Sequence, residues 1–275
     1  MGVSRSTPAA PAHRDGAVRA KALLAMKQCS FRFYASLNDF LPLEQNHIEF
    51  AHEFELSTSL KDMIEALGVP HTEIDLVLVN GTPSALTHIV HDADRISVFP
   101  WFYSIKLEDA QRLHPMPLRE ARFVCDSHLG RLAAYLRMLG FDTFYRTDGA
   151  DDQLARISVH EQRILLTRDR GLLKRASVVR GYFVRASDSR EQLREVVERH
   201  DLQDGISTFT RCMHCNTTVR EVRKEEVLDR LPPRTQQHYN EFCLCPGCQK
   251  VYWKGSHYRR MQRLIDTLIL SKNKR

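Results

Sequence analysis

The sequence predicts three modules in series: an α+β unit of the β-grasp kind, an α/β unit with a parallel sheet, and a small zinc ribbon. Three observations predict this. Residues 28–104 read as strand, strand, helix, strand, strand. Residues 121–204 alternate strand and helix four times, the order that builds a parallel sheet covered by helices on both faces. Residues 205–275 carry two Cys-x-x-Cys pairs, the sequence form of a tetrahedral four-cysteine metal site. At 275 residues the chain is long enough for two or three domains.

Composition removes several classes. With 43% apolar and 27% charged residues the chain is neither fibrous nor disordered as a whole. No apolar run reaches the roughly 18 residues that a membrane-spanning helix needs. Residues 1–27 hold Arg and Lys but no apolar segment followed by a small-residue cleavage site, so they are expected to be a disordered leader and not a secretory signal. Seven Cys is an odd count, and four of them stand in Cys-x-x-Cys units, which favours metal in a reducing compartment over disulfides. A cytoplasmic location is the expectation.

Charge divides the chain. Residues 28–104 hold 3 Lys and Arg against 11 Asp and Glu, a net of −8, whereas residues 205–275 hold 14 against 6, a net of +8. The basic end suits a polyanion, although solubility alone would also explain it. Opposite charges further suggest that the acidic module docks a basic protein partner, or folds back on the ribbon.

In the first module, strands are expected at 30–34 and 48–54. A helix follows over 59–67, capped by Ser59, with Leu60, Ile64 and Leu67 on one face before Gly68 ends it. Further strands lie at 75–79 and 95–99, with a turn at Asn80-Gly81. Leu78-Val79-Asn80-Gly81 and the run from Asp92 to Pro100 resemble the ubiquitin-like sulfur carriers of thiamine and molybdopterin synthesis. Those carriers end in an exposed Gly-Gly. Here Pro100-Trp101-Phe102-Tyr103 leads into more protein, so the resemblance implies the fold without the carrier chemistry. Residues 105–120 read as a polar linker.

The second module begins with a strand at 122–125 and a helix at 127–139. Leu129, Leu132, Ala133, Leu136 and Leu139 line one face of that helix, and Gly140 stops it. A strand at 141–145, a helix at 151–160, a strand at 163–167, a short helix from Arg170, a strand at 178–184 and a helix at 189–200 complete it. Asp126 follows the first strand, Asp151 and Asp152 open the second helix, and Asp169 follows the third strand. Ligands of open parallel sheets bind outside the carboxyl ends of the strands. Carboxylates crowded there suit hard cations such as Mg²⁺ or Mn²⁺, which hold a scissile phosphate and activate water. Each of these Asp also stands where a helix N-cap is expected, and capping alone would account for it. Asp188, after the fourth strand, is a further member or another cap. Arg131, Arg168, Arg170 and Lys174 surround the set, to hold phosphate oxygens or to pair with the carboxylates.

In the third module Cys212, Cys215, Cys245 and Cys248 are the expected zinc ligands, with a closed site that does no chemistry. The gap between the pairs exceeds the usual 15–20 residues, so a helical insert at 223–229 is expected to loop out. Cys243 is a spare candidate and His214 a distant alternative. Cys29 and Cys125 read as small buried strand residues. Lys254, Arg259 and Arg260 stand among Tyr252, Trp253 and Tyr258, a mixture that suits single-stranded RNA; alternatively the aromatics form the ribbon's core.

Three stretches resemble one family: Phe123 to Ala133, Leu136 to Thr143, and Arg163 to Asp169. It is the ribonuclease-type domain first named from the C-terminus of the Mut-seven exonuclease. Val251 to His257 resembles the family's ribbon pattern. The resemblance implies a PIN-like nuclease fold, a zinc ribbon after it and, in bacteria, a ubiquitin-like domain before it. It also implies an acidic Mg²⁺ or Mn²⁺ site whose matching positions are Asp126, Asp151 or its neighbour Asp152, and Asp169. The expected function is a metal-dependent ribonuclease in which Arg131, Arg168 and Lys174 neutralise phosphate, and structural zinc supports RNA binding through Lys254, Arg259 and Arg260. The alternative is a non-catalytic RNA- or ribosome-associated binding module.

Overall fold

The computed structural model describes residues 26–101, 113 and 120–272. Nearly all of the expected leader and most of the expected linker lie outside these residues. Among the described residues, no helix is long and apolar enough to cross a membrane.

The first module folds as its alternating apolar positions require. Strand β1 (Lys27–Phe33) turns Cys29, Phe31 and Phe33 inward, the period of two that buries one face of a sheet. It pairs antiparallel with β2 (Glu49–Phe54). Helix α1 (Leu60–Ala66) is capped by the Ser59 hydroxyl, which accepts from the Asp62 N–H at 3.1 Å. Beyond it Gly68 sits at φ +107, a left-handed position that closes the helix. Strand β3 (Ile74–Val79) turns through Asn80 and Gly81 into the short β4 (Thr82–Pro83), a strand that the sequence reading did not separate. Strand β5 (Arg95–Pro100) lies between β1 and β3, parallel to the first and antiparallel to the second. The order β2-β1-β5-β3-β4, with one helix packed on it through Leu60 and Ile64, is the β-grasp arrangement.

The second module is wound around β6 (Arg122–Cys125). A 3-10 turn at 127–129 precedes α2 (Gly130–Met138), where the sequence suggested one continuous helix. Gly130 leaves room for the Tyr145 ring: a Cβ there would meet its hydroxyl at 2.6 Å and push the ring aside. Then follow β7 (Asp142–Tyr145), α3 (Asp151–His160), β8 (Ile164–Thr167), α4 (Arg170–Leu173), β9 (Gly181–Phe183) and α5 (Ser189–Arg199). All pairings in the sheet are parallel, in the order β7-β6-β8-β9. Phe123, Cys125 and Leu166 pack with α2 and α5 on one face, while Val124 and Leu165 pack with α3 and α4 on the other. Burial on both faces explains why these strands are apolar throughout and do not alternate.

The third module is a three-stranded antiparallel sheet of β10 (Arg220–Val222), β11 (Phe242–Leu244) and β12 (Val251–Trp253), followed by α7 (Ser256–Lys272). The inserted helix lies later than expected. Residues 224–226 and 228–230 form 3-10 turns, and α6 (Pro233–His238) starts at the second of two prolines. A proline at the first helical position has no orphaned N–H to lose, whereas Glu and Lys runs specify no start.

The charge asymmetry suggested a basic protein partner or the ribbon for the acidic module; within the chain, this module meets α4 and the end of β9. Arg185 bonds Asp39 at 2.8 Å and Glu73 at 3.3 Å, and the Phe183 N–H donates to Glu73 at 2.6 Å. Phe40 stacks edge-on to Phe183, with the Arg170 and Arg185 guanidinium groups each 5.0 Å from its ring centre. Glu73 is only 1% exposed, and burial raises its pKa although Arg185 and Arg199 oppose this.

Candidate active site

Two central strands carry Asp126 and Asp169 to the same edge of the sheet. Asp126 leaves the carboxyl end of β6, and its backbone N–H donates to the Leu166 carbonyl on β8 at 3.0 Å. Its carboxylate is nearly buried, at 7% exposure. One oxygen accepts from the Ser127 N–H at 2.5 Å and from the Ser127 hydroxyl at 3.1 Å. The other accepts from the Thr167 hydroxyl at 2.7 Å. The same Thr167 oxygen accepts from the Asp169 N–H at 2.9 Å, so one fully buried hydroxyl joins the two acidic positions. Asp169 is exposed and accepts from the Gly171 N–H at 2.7 Å. Thr167 was missed as a site residue; the available signal was a polar residue ending an otherwise apolar strand.

Asp151 and Asp152 occupy the first turn of α3, behind Ala150 at the cap position. Both face Arg175, which is 3.7 Å from Asp151 and in closer contact with Asp152. Among the described residues, no three carboxylates of the acidic set have oxygens within 4.8 Å of one another. Asp188 caps α5 by accepting from the Arg190 and Glu191 N–H groups. Those two bonds, with Arg190 and Arg131 nearby, hold its carboxyl below the usual range.

The expected phosphate-binding cations divide. Arg131 is exposed on α2. Arg168 donates to the carbonyls of Arg185 and Ala186, and the Lys174 ammonium donates to the Glu65 carbonyl across the junction with the β-grasp module. In the ribbon, exposed Lys254 pairs with Glu241 at 2.7 Å, and Arg259 and Arg260 are exposed on α7.

The four expected cysteines do converge. All four sulfurs lie within 4.8 Å of one another. Cys212 is 3.5 Å from Cys248 and Cys215 is 3.3 Å from Cys245, far longer than a disulfide and near the roughly 3.8 Å edge of a tetrahedron with 2.3 Å zinc–sulfur bonds. In each pair the fourth residue's N–H points at the first sulfur, at 3.4 Å for both Cys215 to Cys212 and Cys248 to Cys245. Burial opposes the Cys215 thiolate, yet Thr217 and the neighbouring thiols hold its pKa down at about 6. His214 and Cys243 stand outside the group. Tyr252 contributes its hydroxyl 3.0 Å from the Cys212 sulfur, so this aromatic belongs to the cysteine site. The first knuckle is fastened to the α/β module by Arg137, a buried residue that the sequence reading passed over. Its guanidinium donates to the Met213 and His214 carbonyls at 3.2 and 2.8 Å, and to Thr143 at 2.9 Å.

Residues 121–265 match the family model of the Mut7-C RNAse domain, more than half of the chain. The chain belongs to the Mut7-C RNAse family. Residues 26–106 match a second model, Mut7-C ubiquitin, so the β-grasp module of this Mut7-C chain is ubiquitin-like by sequence as well as by topology. At the level of the family, the Mut7-C module is a ribonuclease domain, and its four-cysteine cluster fits a zinc ribbon. No curated protein matches the chain. Two solved structures are similar to its N-terminal part. One, the H. volcanii small archaeal modifier protein 1, is 18% identical and covers 27% of this chain and 97% of its own, with a TM-score of 0.21. The other, SAMP1 from Haloferax volcanii, is 17% identical and covers 28% and 98%, with a TM-score of 0.22.

Proposed function

We propose that this Mut7-C chain hydrolyses RNA phosphodiester bonds at the carboxyl edge of its parallel sheet, with Asp126 and Asp169 as the central pair. One observation carries the reading. The chain winds from β6 to β7 on one side and then crosses to β8 on the other, so β6 and β8 flank the switch point where open α/β sheets bind ligands. Asp126 and Asp169 leave those two strands, and Thr167 joins them.

The donor set fits Mg²⁺ or Mn²⁺. It consists of hard oxygens, and Mg²⁺ commonly takes one or two carboxylates while keeping several waters, so a compact three-carboxylate cluster is not required. When bound, the metal supplies Lewis-acid charge at the phosphate and lowers the pKa of water. The remaining work belongs to the chain. Ser127 and Thr167 fix the rotamer of Asp126. Asp169 presents its carboxylate to solvent from the start of α4. Asp151, less engaged by Arg175 than Asp152, is the better third carboxylate. Arg131, exposed on α2, is the cation we assign to a phosphate oxygen. Arg168 and Lys174 would first have to leave their carbonyl partners, so their role is to hold the α4 and β9 ends in place. The ribbon, with zinc held by Cys212, Cys215, Cys245 and Cys248, carries Lys254, Arg259 and Arg260 to the RNA backbone.

The test is cleavage of labelled single-stranded and hairpin RNA with Mn²⁺ or Mg²⁺, comparing the natural chain with folded Asp126→Asn and Asp169→Asn. Cleavage that needs metal and is lost in both variants is expected. Tight RNA binding without cleavage, unchanged by either substitution, would favour the non-catalytic binding module.

A further inference from the structure

A second cluster of metal-ligand type lies in the ubiquitin-like module, on the segment His88-Ile89-Val90-His91-Asp92-Ala93-Asp94 that leads into β5. His88 Nε2 is 3.7 Å and His91 Nδ1 is 3.8 Å from the same oxygen of Asp94. The three ligand atoms all lie within 4.8 Å of one another. The two histidine–Asp94 separations are too long for hydrogen bonds. They are a few tenths of an ångström above the roughly 3.4 Å edge of a tetrahedron with zinc–ligand bonds near 2.05 Å. His88 Nε2 is shut off from solvent and has no hydrogen-bond partner. Burying a ring nitrogen without a partner is costly, and a cation at the centre of the triangle removes that cost.

The backbone holds the three side chains ready. Val90, between the histidines, is fully buried, and its N–H donates to the Thr58 carbonyl at 3.0 Å. The His88 carbonyl accepts from the Leu60 N–H at 2.8 Å, and the Asp94 carbonyl from the Ser30 N–H at 2.8 Å. Asp94 itself is 7% exposed and doubly oriented: Asn80 donates to one oxygen at 2.9 Å and the His91 N–H to the other at 2.8 Å. Supporting hydrogen bonds of this kind fix ligand carboxylates in metal sites.

We propose that His88, His91 and Asp94 form a binding site for a divalent transition cation, Zn²⁺ foremost, separate from the cysteine site and from the acidic crevice. Two imidazoles and one carboxylate favour such an ion over Mg²⁺ or Ca²⁺. Three protein ligands leave a fourth position, and His91, with a 68% exposed side chain, opens that position to solvent. The bound ion closes the 88–94 segment on itself, next to the hydrogen bonds that join Asp94 to Ser30 on β1 and to Asn80 after β3.

The test counts zinc in the full chain by elemental analysis after equilibrium dialysis against Zn²⁺ with excess Mg²⁺, which occupies hard-oxygen sites. The natural chain is expected to hold two zinc ions, and His88→Ala and His91→Ala one each. Asn80→Ala, which removes a support and no ligand, is expected to weaken the second ion about 10-fold. Imidazole ¹⁵N resonances of His88 and His91 in the natural chain are expected to shift with the second equivalent, a readout independent of any variant's folding. One zinc in the natural chain and in both histidine variants, or two in all three, would overturn the proposal.

Discussion

The four cysteine sulfurs lie within 4.8 Å of one another, whereas the carboxylates of Asp126, Asp151, Asp152 and Asp169 form no such group of three among the described residues. Both sets were legible as ligand patterns, and the difference lies in how each is built. A cysteine knuckle assembles itself within four residues, as the bonds from the Cys215 and Cys248 N–H groups to Cys212 and Cys245 illustrate. Pairing of β11 with β12 then positions the second knuckle. The acidic residues come from two strand ends and the start of α3, far apart in the chain; Asp126 and Asp169 already accept from Ser127, Thr167 and Gly171, and Asp151 and Asp152 face Arg175. Soft ligands in a closed site must converge, whereas hard-oxygen sites leave part of the coordination to water.

Four experiments would break or sharpen that comparison. The largest effect is expected at the ribbon. If the cysteine cluster holds zinc as proposed, Cys212→Ser or Cys245→Ser removes one of four ligands from a site where such an ion contributes on the order of 10 kcal/mol to folding. The ribbon should lose its zinc and its amide-exchange protection while the β-grasp module keeps its own; retention of zinc at full occupancy would refute the four-cysteine assignment. At the crevice, Asp126→Asn should lower RNA cleavage by about 100-fold or more, a magnitude typical of losing one electrostatic group from a reaction centre. Asp152→Asn should lower it much less, since Arg175 engages that side chain. Equal losses would place Asp152 in the site.

Thr167→Val tests whether the crevice depends on its buried bridge. Removing the hydroxyl leaves the Asp126 oxygen and the Asp169 N–H without a shared partner, at a cost of roughly 1–3 kcal/mol in denaturant unfolding. Cleavage should fall with it, and the ribbon's zinc content should not change. The fourth effect is a pH slope. His200 is half-buried against Phe123 and Tyr182 with its Nε2 shut off from solvent, and desolvation, then Arg199, pushes its pKa down to about 3. The unfolded chain takes up this proton near pH 6.5, the folded chain only near 3, so stability is lost as pH falls through that window. The slope is about 1.4 kcal/mol per pH unit, and His200→Phe should flatten it, as measured by urea unfolding from pH 6.5 down to 4. An unchanged slope would show that His200 is already charged in the folded chain.

Particular residues show how far the sequence reached. Phe123-Val124-Cys125 and Leu165-Leu166 are apolar on both faces because helices cover both, and that run is readable without a structure. Ser59 and Gly68 marked the ends of α1 for local reasons. The turns at 224–230 and the start of α6 were misplaced, because a charged run carries little local start signal and the deciding feature was Pro233. Arg137 and Thr167 were passed over because their partners, Met213, His214 and Asp126, lie far along the chain.

By itself the sequence determined what is set by short-range rules: strand and helix periods, caps, the cysteine pairs, and Asp at the ends of strands. Only the tertiary structure decided what depends on which distant segments meet. It put the acidic module on α4 and β9 through Arg185, where opposite charge alone had suggested a basic protein partner or the ribbon. It joined Asp126 to Asp169 through Thr167, turned Asp152 to Arg175, and gathered His88, His91 and Asp94. The physical reason is that backbone propensity acts within a few residues, whereas burial and hydrogen-bond satisfaction are settled only when the whole chain has packed.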